Sequence, residues 1–166
     1  MPTVVLINGP IASGKTTVGV ALQTLVRGSV FIDGDAHAAP DSLSLTARWT
    51  YALWCIHGAL RDALEAQRSA IVAWPLTPLH YEFLRDTTHE CGGTVFCVSL
   101  CPPMDLVITG RGRRLSAWER DRITQMYAEG YHTRPFSDAF VDNAATNPQA
   151  TAQNVFRALR DADAVP

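Results

Sequence analysis

Gly9-Pro10-Ile11-Ala12-Ser13-Gly14-Lys15-Thr16 reads G-x-x-x-x-G-K-T, and Lys15 within it is the only lysine of the chain, every other cationic side chain being arginine. A compact ammonium on a flexible stem can fold under a tight loop and touch two phosphate groups at once, which a planar guanidinium cannot. The flanking residues supply the context that the motif requires. Val4-Val5-Leu6-Ile7 is a short apolar run suited to a buried parallel strand. From Gly14 to Val26 the apolar residues Val18, Ala21, Leu22, Leu25 and Val26 recur at helical spacing. The loop therefore joins a strand to a helix N-terminus, where unpaired backbone N–H groups and the helix dipole favour an anion. That reading makes the stretch a nucleoside-triphosphate phosphate site, with Gly9, Ala12, Ser13, Gly14, Lys15, Thr16 and Thr17 as the nucleotide-contacting set.

The rest of the chain continues the alternation. Arg27-Gly28 ends the first helix, and Val30-Phe31-Ile32 opens a second strand that finishes in Asp33-Gly34-Asp35. Beyond Pro40 a long helix is expected from about 43 to 66, with Trp49, Leu53, Ile56, Leu60 and Leu64 stepping along one face. Strands follow at 70–74 and 94–100, separated by a helix over about 79–87 and the Gly92-Gly93 turn. A short helix from about Met104 meets Arg111-Gly112-Arg113-Arg114, and Ser116-Ala117-Trp118-Glu119 has the form of a helix-opening capping box. Ala139 to Asp142 reads as a fifth strand, and Asn147-Pro148 opens a last helix. Strands separated by helices predict a three-layer α/β/α fold with a five-stranded parallel sheet and ligands at the strands' carboxyl ends.

At 166 residues the chain is expected to form one domain. The formal charge of −2 gives no general electrostatic reason to bind nucleic acid or an anionic membrane. No apolar run approaches a membrane span, and the N-terminus enters a strand at once instead of a basic-then-apolar leader, so a cytoplasmic protein, monomer or homodimer, is expected. Cys55, Cys91, Cys97 and Cys101 lack metal-ligand pairing and read as reduced packing residues. The five histidines make no metal spacing either, although His37, two residues past Asp35, is placed to meet a substrate.

Phosphoryl transfer needs the γ-phosphate charge neutralised, Mg²⁺ held, the acceptor oxygen aligned and water excluded. Lys15 would follow the charge and the Thr16 hydroxyl would ligate Mg²⁺ from ATP. Asp33 or Asp35 can hold metal-bound water or accept the proton of a hydroxyl substrate; in an extended segment both side chains would point the same way. Arg111, Arg113 and Arg114 form the densest positive cluster, in a glycine-containing stretch able to close as a lid over about 110–135, with Arg114 taken as a catalytic guanidinium. Trp74, Arg48 and Arg134 join Asp35 and His37 as candidate substrate contacts, and Trp49, Trp54 and Tyr51 as candidates for an aromatic wall, Trp49 being in phase with the core positions of its helix.

The phosphate loop, Phe31-Ile32-Asp33-Gly34-Asp35, the arginine-rich stretch, and Val141-Asp142-Asn143 followed by Asn147-Pro148 together resemble the small-metabolite P-loop kinases: gluconate kinase, shikimate kinase and adenylylsulfate kinase, with the chloramphenicol phosphotransferase nearby. The resemblance spans nearly the whole chain. It implies an ATP- and Mg²⁺-dependent kinase acting on a hydroxyl of a small molecule, a metabolite such as a sugar acid or an antibiotic. It further implies Asp33 on the magnesium side and Asp35 on the acceptor hydroxyl. Arg111 or a lid neighbour would lie near adenine or phosphates, and Pro148 would border adenine. Trp74-Pro75-Leu76 departs from the triple glycine of shikimate kinases, so the acceptor pocket differs. A nucleoside or nucleotide kinase, and a nucleotide-dependent ATPase switch without an acceptor, remain as alternatives.

Overall fold

The computed structural model describes residues 1–37, 39–40 and 42–164, with the backbone alone of Leu45. Five strands, β1 (Thr3–Asn8), β2 (Val30–Asp33), β3 (Ala70–Ala73), β4 (Thr94–Leu100) and β5 (Ala139–Val141), form one sheet in the order β2-β3-β1-β4-β5. All four pairings are parallel. The helices are α1 (Lys15–Leu25), α2 (Leu45–Glu65), α3 (Pro78–Glu90), α4 (Met104–Ile108), α5 (Ala117–Ala128) and α6 (Pro148–Asp161).

Alternation along the strands builds two cores. Val4, Leu6, Ile32, Val72 and Cys97 pack with Ile56, Leu60, Leu64 and Leu84 of α2 and α3 on one face. Val5, Ile7, Ile71, Val98 and Leu100 pack with Val18, Leu22, Val155 and Leu159 of α1 and α6 on the other. Both faces are covered, which is why these strands read as unbroken apolar runs. A third, smaller cluster joins Val107, Leu115 and Ile123 to Ile11 and Ala12 of the first loop, so α4 and α5 sit on the phosphate loop itself.

Local signals set the ends of the elements. Ser116 and Glu119 make the reciprocal capping box expected of them, and Asn147 accepts the Ala150 N–H at the start of α6. From β1 the chain passes to the β2 side of the sheet, and from β4 to the β5 side. The reversal opens a crevice beyond the carboxyl end of β1, where Gly9 begins the loop. All four cysteines are free thiols. Among the described residues no helix is long and apolar enough to cross a membrane.

Candidate active site

Asn8 ends β1 and is fully buried, a polar residue closing an apolar strand. Its Nδ2 donates to Ser99 Oγ (2.7 Å) and to the Tyr131 carbonyl (2.8 Å), and its Oδ1 accepts the Leu76 N–H (2.9 Å). One side chain thus ties the loops after β3 and α5 to the sheet's carboxyl edge. Sequence reading passed over Asn8, although a polar residue at the end of so apolar a run was the available signal.

The loop that follows closes on itself, the Ser13 N–H donating to the Pro10 carbonyl at 3.3 Å. A Cβ on Gly9 would come within 2.7 Å of Ser13 Oγ and 3.0 Å of the Leu100 carbonyl. Ala12 (φ 59°) and Gly14 (φ 97°) adopt the left-handed conformation. Gly14 is the N-cap of α1 and provides no side-chain cap, so the opening N–H groups of the helix are left for an anion. Lys15 is 7% exposed, and its Nζ donates to the carbonyls of Pro10 (2.8 Å) and Gly9 (3.1 Å). Burial pushes the ammonium down to about 8; Asp35 and then Asp33 oppose that fall, and Arg113 adds to it. Both acids therefore stand within electrostatic reach of the amine.

The two acids are not arranged as an extended segment would place them. Asp33 ends β2, and its Oδ1 accepts the Asp35 N–H at 3.0 Å, capping a single 3-10 turn, Gly34–Ala36. The side chain competes with the strand for the backbone, which is the usual habit of aspartate before glycine. As a correction to the sequence reading, the two carboxylates are divided by a turn. Asp35 stands exposed on the cavity wall, and Asp33 is half-buried behind it.

An open cavity of about 1060 Å³ runs along the sheet edge. Of the sequence-derived site residues, Ala12, Gly14, Lys15, Thr16, Thr17, Asp35, His37, Arg48, Trp74, Arg111 and Pro148 line it. Gly9, Ser13 and Asp33 lie outside the lining and support it from the loop and the turn. On the β5 side, Arg111 Nη1 and Asn143 Nδ2 both donate to the Ser13 carbonyl (3.1 and 2.9 Å), and Arg111 Nη2 donates to the Asn143 carbonyl at 2.7 Å. Arg111 thereby pins the arginine-rich stretch to the phosphate loop. Thr146 and Thr151 complete that end of the cavity beside Pro148.

Two other arginines differ from expectation. Arg114 is exposed and does not line the cavity; Arg113 does, held by Glu119 at 2.8 Å. Glu119 is kept below the usual carboxylate range, first by the Ser116 N–H and also by Arg113. Arg134 does not line the cavity either. Its Nε donates to the Leu76 carbonyl and its Nη1 to the Glu129 carbonyl, and the guanidinium lies 4.0 Å from the centre of the Tyr131 ring. Backbone carbonyls claim that cation, leaving it a structural post.

The aromatic candidates separate in the same way. Trp74 is 5% exposed and Trp49 half-buried, their rings 5.1 Å apart on the cavity wall. Trp54 and Tyr51 are exposed and line no part of it, Trp54 packing on His57 and Phe83. Trp118 and Glu119, which sequence reading assigned only to a helix start, face the cavity. Gly34 is what lets Trp74 close over the acid turn, since a Cβ there would fall 2.0 Å from Trp74 Cε3. Gly34→Ala is expected to cost about 1–3 kcal/mol of stability through this overpacking. Urea denaturation followed by tryptophan fluorescence checks it, and an unchanged midpoint would show the ring yielding without cost.

No family model and no curated protein matches the chain. Solved structures do. A gluconokinase from Sinorhizobium meliloti 1021 superposes with a TM-score of 0.76 at 19% identity, over 97% of this chain and 93% of that one. The adenylylsulfate (APS) kinase CysC of Mycobacterium tuberculosis, in complex with AMPPNP and APS, gives 0.68 at 17% identity, over 96% and 98%. Shikimate kinase from Acinetobacter baumannii gives 0.65 at 16% identity, over 98% and 94%. The fold is the α/β P-loop NTPase fold of the small-molecule kinases, the group that the sequence motifs resemble.

Proposed function

We propose that the chain is a kinase that transfers the γ-phosphoryl group of ATP, with Mg²⁺, to a hydroxyl of a small molecule. The supporting observation is the juxtaposition of an uncapped helix N-terminus, a buried lysine and the Asp33–Asp35 turn along one cavity that continues past the phosphate loop to Trp49 and Trp74. That further space favours an acceptor over a switch that hydrolyses ATP alone. The neighbours named gluconokinase, APS kinase and shikimate kinase lend support through their shared fold.

Loop amides and Lys15 bind the triphosphate, with the Arg111, Thr146 and Pro148 end of the cavity left for the nucleoside. Thr16 on the cavity wall would hold Mg²⁺, and Asp33, set behind the lining, would act on it through the waters that a hard divalent cation keeps. When bound, the ion would supply charge neutralisation to the triphosphate. A bond forms between the acceptor oxygen and the γ-phosphorus as the bond from that phosphorus to the bridging oxygen breaks, and ADP leaves. Asp35 takes the hydroxyl proton; among the described residues its carboxylate makes no hydrogen bond or ion pair, whereas Asp33 already serves the turn. Arg113, released from Glu119, is the lid guanidinium best placed to meet the transferring group.

Calorimetric titration with ATP and Mg²⁺ tests this reading through Lys15. Free Lys15 titrates near 8 instead of its ordinary 10.5, so between those values the folded protein holds fewer protons than the unfolded chain and its stability rises with pH. Phosphate oxygens favour the ammonium and draw its pKa back up. Binding at about pH 9 is therefore expected to take up nearly one proton, and almost none at about pH 7. Buffers of different ionisation enthalpy read that number directly. ATP uptake without the alkaline proton would remove Lys15 from the phosphates; no uptake of ATP or ADP would end the kinase reading.

A further inference from the structure

We infer that the acceptor is a neutral alcohol carried on a planar or aromatic ring, and not a carboxylated polyol, an inference that rests on the kinase reading above. The sheet order puts the acceptor side over β2 and β3, whose carboxyl ends deliver Asp35 and Trp74, on the far side of β1 from Asn143 and Pro148. The wall there is built from Trp49, Ala52, Trp74 and Pro75, with Asp35, His37 and Arg48 as its polar members. It is a held surface. The Trp49 and Trp74 rings meet at 59°, His80 stacks behind Trp49 with centroids 6.4 Å apart and planes 21° from parallel, and Gly34 admits the Trp74 ring from below. Rings fixed in this way offer a flat partner a face at little entropic cost.

The polar groups of this wall point the same way. Trp74 Nε1 is buried without a hydrogen-bond partner among the described residues, a donor that calls for an acceptor oxygen or nitrogen. Burial lowers the pKa of His80, so it adds no cation at neutral pH. Arg134 lies outside the lining, bonded to the carbonyls of Leu76 and Glu129, whereas Arg48 lines the cavity with its Nε donating to the carbonyl of Leu43. A carboxylated polyol would bring many hydroxyls and a negative charge against two indoles and a proline, beside the acid Asp35. Desolvating those groups there is unfavourable.

Two kinds of molecule carry this chemistry, an aryl-substituted alcohol or glycoside and a nucleoside, and matched pairs distinguish them. The test measures acceptor affinity by calorimetry on the full chain, first loaded with a non-hydrolysable ATP analogue and Mg²⁺. The probes are phenyl β-D-glucoside against glucose, uridine against ribose, and gluconate. In at least one pair the ring-bearing member is expected to bind tenfold or more tightly than its parent and than gluconate, and that pair identifies the source. Trp49→Leu, which keeps apolar volume but removes the ring face, is expected to bring the ratio within about threefold of unity while analogue affinity holds. Analogue uptake with no ring preference in either pair, or with gluconate bound best, overturns the acceptor class and leaves the kinase reading standing. A ring preference that survives Trp49→Leu removes the indole wall as its cause and overturns the inference. Failure to take up the analogue at all overturns the kinase reading, and the acceptor class falls with it.

Discussion

Lys15→Ala is expected to abolish phosphoryl transfer, with a loss of about 10³-fold or more, while the protein stays folded. The two halves of that expectation come from the same burial. Nζ is enclosed, with the Gly9 and Pro10 carbonyls as its hydrogen-bond partners among the described residues, and burial disfavours its charged form. Such a group is poor for stability and suited to meeting an anion that replaces the lost water. Removing a single preorganised donor from a developing oxyanion costs about 10²–10³ in turnover, and a full charge in a water-excluded site costs more. Below pH 8 the folded state must hold an ammonium that the unfolded chain solvates freely. Lys15→Met is therefore expected to leave thermal stability at neutral pH unchanged or raised, as activity vanishes. Lys15→Arg restores charge but not function, because a planar guanidinium cannot reproduce the turn back to both carbonyls. Melting temperature and acceptor-dependent ADP release, measured together, check the pair. A Lys15→Ala protein that keeps a tenth of its turnover would place the transferring phosphoryl elsewhere.

The architecture was legible from the sequence because the same pressure wrote it many times over. Strands buried on both faces must be apolar at every position, so Val4 to Ile7 and Ala70 to Ala73 announce themselves without alternation. Ser116 and Asn147 mark helix starts through bonds made within one turn, so their signal is local. The site was legible where it depended on such local chemistry, as in the phosphate loop, and not where it depended on distant partners. Arg134 looks like any cation until the Leu76 carbonyl, far away in sequence, arrives beside it. Trp118 follows a recognised cap, but which way it faces depends on the small core of Val107, Leu115 and Ile123 beneath α5. The Asp33 turn lies between these extremes. Aspartate bonding to the N–H two residues on is a local habit, and in Asp33-Gly34-Asp35 it overrode the strand that precedes it.

That turn separates the roles of its two acids, and Asp35→Asn is expected to lower turnover by about 10²–10⁴ with ATP affinity changed less than about threefold. Asparagine matches the carboxylate in size and leaves the Asp33 to Asp35 backbone bond untouched, so the 3-10 turn persists while proton acceptance and the negative charge that favours the Lys15 ammonium are lost. An exposed side chain on the cavity wall adds little to stability, so the melting temperature should hold. Asp33→Asn makes the contrast. Its amide oxygen can still accept the Asp35 N–H, so the turn again survives, but the charge that would face a divalent cation is gone. That variant is expected to need more Mg²⁺ for half-maximal rate, whereas Asp35→Asn should show an unshifted Mg²⁺ requirement at its much lower maximum. The geometry supports this division because Asp33 is held at the strand's end by its own turn while Asp35 stands on the open side of it. Rates over a series of Mg²⁺ concentrations separate the two outcomes. If Asp35→Asn raises the Mg²⁺ requirement and Asp33→Asn takes the greater loss of maximal turnover, the base is Asp33 and the assignment of the two acids reverses.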